Sequence, residues 1–494
     1  MTFPQDFLFG AATASYQIEG GVTEGGRIPS IWDTFSHTPG KVVNGETGDV
    51  ACDHYHRWAE DVALMKELGL DAYRLSIAWP RVMDADGALN PAGISFYRNL
   101  LEGLVEAGIK PLVTLYHWDL PQHLEDAAGW TNRATAEAFA RYAEAMFREF
   151  GDLVHAWMTL NEPWCAAFLG HASGVHAPGI TDGGKALAAA HHLNLAHGLA
   201  IKAIRAIDPA AQIGVALNLH VIHPANPDDA SHLEAVARIA RVGNHIFVGP
   251  MLEGTYPTEL VADTRQYTDW SFVLPGDLEI TRQRLDFVAV NYYSTNTVRP
   301  LDSSAPDSGS SGGHGSGNPW VGCDDIEFLP PEGPTTQMGW GINPDGLYEL
   351  LMALDLAVPG MPLMVAENGA ACADVLEDGA VHDQDRIDYL ASHLEAVERA
   401  IDDGANVIGY TAWSLMDNFE WAFGYEKRFG LIYVDYPTGE RTIKESARWY
   451  SDAIAAYKTE ALNASSEGDA APREQAQSAG EEERRGLFGW LSRR

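Results

Sequence analysis

The sequence has few cysteines, four in 494 residues. Cys52, Cys165, Cys323 and Cys372 are widely spaced and form no CxxC pair, so the sequence predicts neither a disulfide framework nor a zinc site. Cys165 closely follows one of the motifs described below, and we interpret it as a small packed thiol, with an accessible thiol as the alternative. The scarcity of cysteine is typical of a protein in a reducing compartment.

Positive charge is also scarce, because 33 lysines and arginines oppose 69 aspartates and glutamates. The resulting formal net charge of −36 repels nucleic acid and anionic lipid, so we predict neither as a partner. An adaptation to salt is one explanation of such acidity. We favour the simpler explanation, which is that the charge keeps the protein in solution.

Long apolar runs are absent. No run of about 18 apolar residues occurs, so the sequence predicts no membrane-spanning helix. The residues from Thr2 to Asp6 lack the basic region and the apolar stretch of a signal peptide. We therefore expect a cytoplasmic protein.

Motifs for common cofactors and metals are missing as well. No GxGxxG or Walker sequence follows the first predicted strand, and we predict no cofactor. The pair His54 and His56 and the group His191, His192 and His197 lack supporting carboxylate or cysteine spacing, so we predict no metal site.

Apolar and aromatic residues, in contrast, are plentiful, with 46% hydrophobic residues and 14 tryptophans. Apolar runs of strand length alternate with longer helical patterns along the whole chain. Eight of these runs finish on polar or aromatic residues instead of a plain turn. They are Phe7 to Gln17, Ala72 to Trp79, Pro111 to Trp118, Ala156 to Glu162, Ile213 to His220, Phe287 to Tyr293, Leu363 to Asn368 and Val407 to Trp413.

The stretches between these runs have the apolar periodicity of helices. Clear examples are Trp58 to Leu68, Ala134 to Phe150, Lys185 to Ile207 and Gln384 to Asp402. Eight alternating strands and helices predict an α/β fold, a (β/α)8 TIM barrel. A doubly wound sheet is the alternative, and the missing phosphate loop argues against it. In a barrel the chemistry lies at the carboxyl ends of the strands, where the polar and aromatic residues stand.

Two segments fall outside this pattern. We predict a single barrel domain over residues 1–458, interrupted by a flexible Ser/Gly-rich loop at about 302–334. From 459 to 494 the composition turns to Ala, Glu, Gln, Ser and Arg, which predicts a disordered tail.

Two short motifs place a glutamate at the end of a predicted strand. Glu162 lies in Thr159 to Pro163, and Glu367 lies in Ala366 to Gly369. Two carboxylates brought together by a fold can cleave a glycosidic bond, with retention at about 5–5.5 Å and inversion at roughly 6.5–9.5 Å. Since strands four and seven face each other across a barrel mouth, the sequence allows either separation.

Many further residues match one family in the correct order. They are Phe9 to Gly20, Tyr73 to Arg81, Leu115 to Pro121, Asn291 to Tyr293, Trp413 to Trp421 and Lys427 to Gly430. From Phe7 to about Tyr457 the chain resembles family 1 glycoside hydrolases of the β-glucosidase type. The resemblance implies hydrolysis of terminal β-D-glucosyl residues with retention, through a covalent glycosyl-enzyme.

The resemblance also assigns the residues at the reacting centre. Glu367 would be the nucleophile, and Glu162 would act first as acid and then as base. Arg74, Tyr293 and Asn291 match the residues that support the nucleophile and keep it ionised.

Sugar-binding residues follow from the same resemblance. Those expected to contact the non-reducing sugar are Gln17, His117, Trp118, Asn161, Trp413, Glu420 and Trp421. Those expected on the side of the leaving group are Trp164, Trp340 and Phe423.

The expected partner is a small β-glucoside or cello-oligosaccharide, with a homo-oligomer as a possible assembly. Glu420 would repel a 6-phosphate, which favours plain glycosides, and Glu162 favours O-glycosides over thioglucosides. Glucose is favoured over galactose or fucose. The alternatives are a transglycosylating or mixed β-galactosidase/β-fucosidase and, more remotely, a barrel that binds sugar without cleaving it.

Overall fold

Eight parallel strands close into a barrel in the computed structural model, which describes residues 3–301 and 317–467. In chain order, the strands are β1 (Leu8–Ala12), β2 (Ala72–Ser76), β3 (Lys110–Tyr116), β4 (Ala156–Asn161), β5 (Ile213–Leu217), β6 (Val288–Asn291), β7 (Leu363–Asn368) and β8 (Val407–Trp413). Each strand pairs with its neighbours in sequence, and β1 pairs with β8. All the carboxyl ends therefore lie at one rim.

One long helix follows each strand. The helices are α1 (His54–Glu67), α2 (Pro91–Ala107), α3 (Arg133–Phe150), α4 (Gly183–Ile207), α5 (Ala230–Ala240), α6 (Pro344–Ala357), α7 (Gln384–Asp402) and α8 (Glu445–Glu467). Helix α2 shows how the sequence sets such boundaries: Asn90 caps its first turn, Pro91 opens it, and Gly108 ends it at a φ of 82°. The predicted (β/α)8 barrel is confirmed.

Shorter elements decorate the loops of the barrel. The strands Val221–Pro224, Thr295–Pro300 and Ile326–Leu329 form a three-stranded sheet, and Ile432–Asp435 pairs with Glu440–Ile443. The remaining short helical segments are Ser15–Ile18, Ile31–Ser36, Val43–Gly45, Trp79–Val82, Gln122–Asp126, Gly129–Thr131, Cys165–Ser173, Arg241–His245, Ile246–Val248, Gly249–Glu253, Thr258–Asp263, Asp277–Thr281 and Trp421–Phe423.

The barrel has an inner core that is separate from the layer between strands and helices. Its buried side chains are Leu8, Ala72, Leu112, Ala156, Met158, Ala216, Phe287, Ala289, Met364 and Ala366. Apolar side chains that fill the barrel interior leave only the rim at the carboxyl ends for chemistry.

The structure differs from the sequence prediction at three boundaries. The first predicted strand stops at Ala12, because Ser15–Ile18 turns into a short helix. Of the predicted loop at 302–334, residues 302–316 lie outside the described residues, whereas the described part contains the strand Ile326–Leu329. Helix α8 continues to Glu467, past the predicted tail boundary at 459, since the Ala, Leu and Glu residues of this stretch favour helix.

The rest of the predicted tail, residues 468–494, lies outside the described residues. In the part of the chain that the structure covers, every helix is too short or too polar to cross a bilayer.

Candidate active site

Both motif glutamates lie at the rim formed by the carboxyl ends of the strands. Glu162 directly follows β4, and Glu367 lies in β7. Their exposed fractions are 6% and 3%. Glu162 adopts a left-handed backbone with φ of 43°, held by the hydrogen bond from its N–H to the carbonyl of Ala216 on β5. Such strain in a non-glycine residue is typical of functional positions.

The Glu367 carboxylate accepts hydrogen bonds from a cation and a phenol. Arg74 on β2 donates from Nη1 to Oε1 at 2.5 Å, and Tyr293 donates its hydroxyl to Oε2 at 2.6 Å. Burial raises the pKa of Glu367, while the Arg74 charge and the Tyr293 hydrogen bond act in the opposite direction. These two donors favour the ionised carboxylate.

Neutral donors hold the Glu162 carboxyl group instead. Asn291 Nδ2 donates to Oε1 at 2.7 Å, and the Cys165 thiol donates to Oε2 at 3.1 Å. Burial and the negative charge of Glu367 raise the pKa of Glu162 to about 7. A carboxyl group with this pKa can give or take a proton near neutral pH.

Asn161 connects the two halves of the site. Its Oδ1 accepts from Arg74 Nη2 at 2.6 Å and from Asn291 Nδ2 at 2.9 Å. Since Oδ1 must then be the acceptor, Nδ2 donates to Nε2 of His117 at 2.9 Å. Burial, with a smaller effect of the Arg74 charge, holds the pKa of His117 well below its usual range, so the imidazole is neutral and carries its hydrogen on Nδ1.

A cavity of about 190 Å³ opens above these groups. Most of the residues predicted for the site line it: His117, Trp118, Glu162, Asn291, Tyr293, Trp340, Glu367, Trp413, Glu420, Trp421 and Phe423. The fold therefore brings together residues from the ends of β3, β4, β6, β7 and β8.

Aromatic rings form much of the cavity wall. The ring centroid of His117 lies 5.9 Å from that of Trp413 and 6.0 Å from that of Trp421. The plane of each tryptophan ring is nearly parallel to the imidazole plane. Trp340 packs 5.3 Å from Tyr293 on another side. Flat apolar walls with a few polar groups suit a ring that carries hydroxyl groups.

Three acceptor atoms at or near the cavity have no hydrogen-bond partner among the described residues: Oε2 of Glu420, Oε1 of Gln17 and Oδ1 of Asn291. Nε2 of Gln17 donates to Asn418 Oδ1 at 3.0 Å and to the Phe419 carbonyl at 2.8 Å, which leaves only Oε1 to accept. Burial and the charges of Glu367 and Glu162 raise the pKa of Glu420 to about 8. Buried acceptors without partners indicate a ligand that brings hydroxyl donors.

Three residues predicted to contact the sugar or its leaving group do not line the cavity: Gln17, Asn161 and Trp164. Asn161 donates to His117 of the cavity wall, and Gln17 donates to Asn418 and Phe419, which directly precede Glu420. Trp164 is fully buried and packs against His220 and Trp320, with ring centroids 4.7 Å from each. The helical turn after Glu162 directs the ring of Trp164 into the core, and its role on the leaving-group side stays a prediction.

Sequence reasoning missed several residues of the cavity wall. It favoured a packed thiol for Cys165, which in the structure lines the cavity. The missed side chains include Asn218, His220, Ser294, Asn296 and Met338. Asn218 and His220 follow the end of β5, so their position after a barrel strand was the signal that could have found them.

The histidine groups have other structural partners. His54 Nδ1 pairs with Asp61 at 2.7 Å, and His191 Nε2 pairs with Asp277 at 3.0 Å. His197 Nδ1 lies 2.6 Å from the Thr159 hydroxyl. Among the described residues, no three His, Cys, Asp or Glu side chains are arranged to hold a metal ion.

Comparison with known proteins agrees with this geometry. The model of glycosyl hydrolase family 1 matches residues 1–459. A bifunctional β-D-glucosidase/β-D-fucosidase from Bifidobacterium breve is 51% identical over 92% of this chain and 98% of its own length. β-Glucosidase A from Acetivibrio thermocellus is 44% identical over 92% and 98%.

Solved structures give the same result. The crystal structure of a psychrophilic β-glucosidase from Micrococcus antarcticus matches with a TM-score of 0.89 and 45% identity, over 92% of this chain and 98% of that one. The chain belongs to glycosyl hydrolase family 1 and is a glycoside hydrolase.

Proposed function

We propose that this chain is a retaining β-glucosidase in which Glu367 is the nucleophile and Glu162 is the acid/base. The observation that carries the proposal is the unequal environment of two buried glutamates in one cavity. A cation and a phenol favour ionised Glu367, whereas burial and its neighbour raise the pKa of Glu162 to about 7. Pairs of carboxyl groups whose pKa values are pushed apart take the two different roles.

The arrangement favours retention. Asn291 donates to Glu162, is the register partner of Glu367 on the adjacent strand, and lowers the pKa of Glu367 as well. One short amide that acts on both carboxyl groups fits the separation of about 5–5.5 Å for retaining enzymes better than the wider gap that holds a water in inverting ones.

In the first step, a Glu367 oxygen attacks the anomeric carbon while the bond to the leaving oxygen breaks. The proton of Glu162 passes to that oxygen, and the aglycone leaves as an alcohol. The glycosyl ester neutralises Glu367, so the pKa of Glu162 falls and the residue becomes a base.

In the second step, Glu162 takes a proton from water, whose oxygen attacks the anomeric carbon. The ester bond to Glu367 breaks, and the sugar leaves with its original configuration. Substrate hydroxyl groups donate to Glu420 Oε2 and Gln17 Oε1, and the apolar face of the sugar ring packs on Trp413.

The substrates we propose are terminal β-D-glucosides and short cello-oligosaccharides, in a cytoplasmic enzyme. The name of the Bifidobacterium breve relative makes β-D-fucosides a second substrate class to test. A fucoside lacks only the 6-hydroxyl group of the corresponding galactoside.

The decisive test compares initial rates on aryl β-D-glucoside, β-D-galactoside and β-D-fucoside, with a chelator present. We expect a rapid glucoside rate that survives the chelator, and NMR should show β-glucose as the first product. An α-anomer as the first product would contradict the retaining mechanism, and no cleavage of any of the three would contradict the proposed activity.

A further inference from the structure

Cys165 contacts the carboxyl group of Glu162, and the mechanism above does not use it. Its Sγ lies 3.1 Å from Glu162 Oε2, and it lines the cavity with 5% of its surface exposed. The residue begins the short helical segment Cys165–Ser173, three positions after Glu162, so one turn of backbone fixes the distance between them.

Toward the ionised carboxylate, which has no hydrogen to give, the thiol acts as the donor. Burial and the adjacent Glu162 charge raise the pKa of Cys165 well above its usual range, so its hydrogen stays on sulfur. On the other side, Asn218 Nδ2 donates to the same sulfur at 3.4 Å. The amide of Asn218 thus occupies the acceptor face of the thiol and leaves its hydrogen directed at Glu162.

The two oxygens of Glu162 are therefore held by different donors. Asn291 donates to Oε1 and Cys165 donates to Oε2. Because a carboxylate oxygen accepts two hydrogen bonds, each oxygen keeps a lone pair for the leaving oxygen or the attacking water. Two donors at the two oxygens fix the plane of the carboxyl group.

We propose that Cys165, oriented by Asn218, is a positioning residue that holds the acid/base carboxyl group of Glu162 and stabilises its ionised form. The inference rests on the proposed role of Glu162. Loss of the thiol hydrogen bond removes stabilisation from the carboxylate and not from the protonated acid. The pKa of Glu162 in the free enzyme therefore rises when the donor is removed.

The test is the pH dependence of kcat/KM on an alkyl β-glucoside, whose poor leaving group needs the acid. In Cys165→Ala, the basic limb moves to higher pH by roughly half a unit to one unit, since a thiol is a weak donor to a charged acceptor. The kcat falls at low pH, where the second step needs ionised Glu162, and KM changes little.

Two further variants separate this role from simple packing. Cys165→Ser keeps a donor at the same place, so its basic limb moves by less than half of the alanine shift. Asn218→Ala leaves the thiol but frees its orientation, so its limb moves in the same direction by a smaller amount. The matched control is Cys323→Ala, which removes a buried thiol that does not line the cavity, and its profile should equal the wild type.

A basic limb that stays in place in both Cys165→Ala and Asn218→Ala overturns the proposal, as does an equal shift in Cys323→Ala. If Cys165→Ala fails to fold, Asn218→Ala and Cys165→Ser decide the matter by the same shifts. Glu162→Gln tests the premise separately. Full activity of that variant on the alkyl glucoside would refute the role of Glu162. If Glu162→Gln loses activity while the basic limb of Cys165→Ala stays in place, only the role of the thiol is refuted.

Discussion

The ends of β4 and β7 look alike in sequence and differ in chemistry. Each strand is apolar and finishes with asparagine and glutamate as neighbours, Asn161 with Glu162 and Glu367 with Asn368. At β7 the carboxylate meets the Arg74 guanidinium and a phenol. At β4 the donors to the carboxylate among the described residues are a neutral amide and a thiol.

The second asparagine points away from the reaction. Asn368 donates a hydrogen bond to the Tyr292 carbonyl at 2.7 Å and accepts one from the Tyr410 hydroxyl at 2.7 Å. These bonds connect the end of β7 to β8 and to the residue after β6. Asn161 instead links Arg74, Asn291 and His117. The comparison shows that partners on other strands, and not the residue type, separate a nucleophile from an acid.

We expect the largest effect on activity when the nucleophile at the end of β7 is removed. In Glu367→Gly no oxygen can attack the anomeric carbon, and we expect kcat/KM to fall by at least about 10⁴-fold. Added azide should restore turnover of an activated aryl glucoside and give the α-glucosyl azide, identified by NMR. Near-normal hydrolysis without azide would show that the nucleophile lies elsewhere.

Removing the acid should have a smaller effect that depends on the substrate. For Glu162→Gln we expect kcat/KM on alkyl glucosides to fall by about 10²- to 10⁴-fold, the usual contribution of general acid catalysis. On a dinitrophenyl glucoside the first step needs no proton, so kcat/KM should change little while kcat falls with the second step. Equal losses on both substrates would contradict the assigned role.

Weakening the support of Glu367 should give a smaller loss still. Tyr293→Phe removes a hydrogen bond to a buried carboxylate, and we expect kcat/KM to fall by about 10- to 100-fold. Because the lost donor favoured the ionised form, the pKa of Glu367 rises and the acidic limb of the profile moves to higher pH. The matched control is Tyr348→Phe, whose hydroxyl donates to Asp403 on the surface.

The smallest expected effect is the change of activity with pH in the wild-type protein, which compares the two carboxyl groups without a substitution. The first step needs protonated Glu162 and ionised Glu367, so kcat/KM of the wild type should be bell-shaped. Since the pKa of Glu162 is raised to about 7, activity falls as the pH rises through that value. If the remaining activity of Glu162→Gln shows the same basic limb as the wild type, the limb belongs to another group.

Much of this molecule could be predicted from local patterns. The strand Leu363–Asn368 and the helix Gln384–Asp402 have the predicted bounds, because apolar periodicity and flanking polar residues report secondary structure directly. The segment from Phe7 to Gln17 was harder. Its apolar residues continue through a turn into the helix Ser15–Ile18, and composition alone does not mark that change.

The site was predicted where residues stand at strand ends, and missed where loops bring side chains in. The structure brings His117 and Trp413 to the cavity, because their strands end at the rim. Trp164 shares the motif of Glu162, but its ring turns into the core. Met338 lines the cavity from a loop, and no strand pattern in its own segment marks it as a site residue.

By itself, the sequence determined the eight strands, the helices between them, and the two glutamates at the rim. Periodicity and strand ends are local properties, so they can be read along one stretch of chain. Only the tertiary structure decided which donors each carboxylate receives, because Arg74 comes from β2, Asn291 and Tyr293 from the end of β6, and Cys165 from one helical turn. Burial and charge act over a few ångströms of space, whatever the separation in sequence.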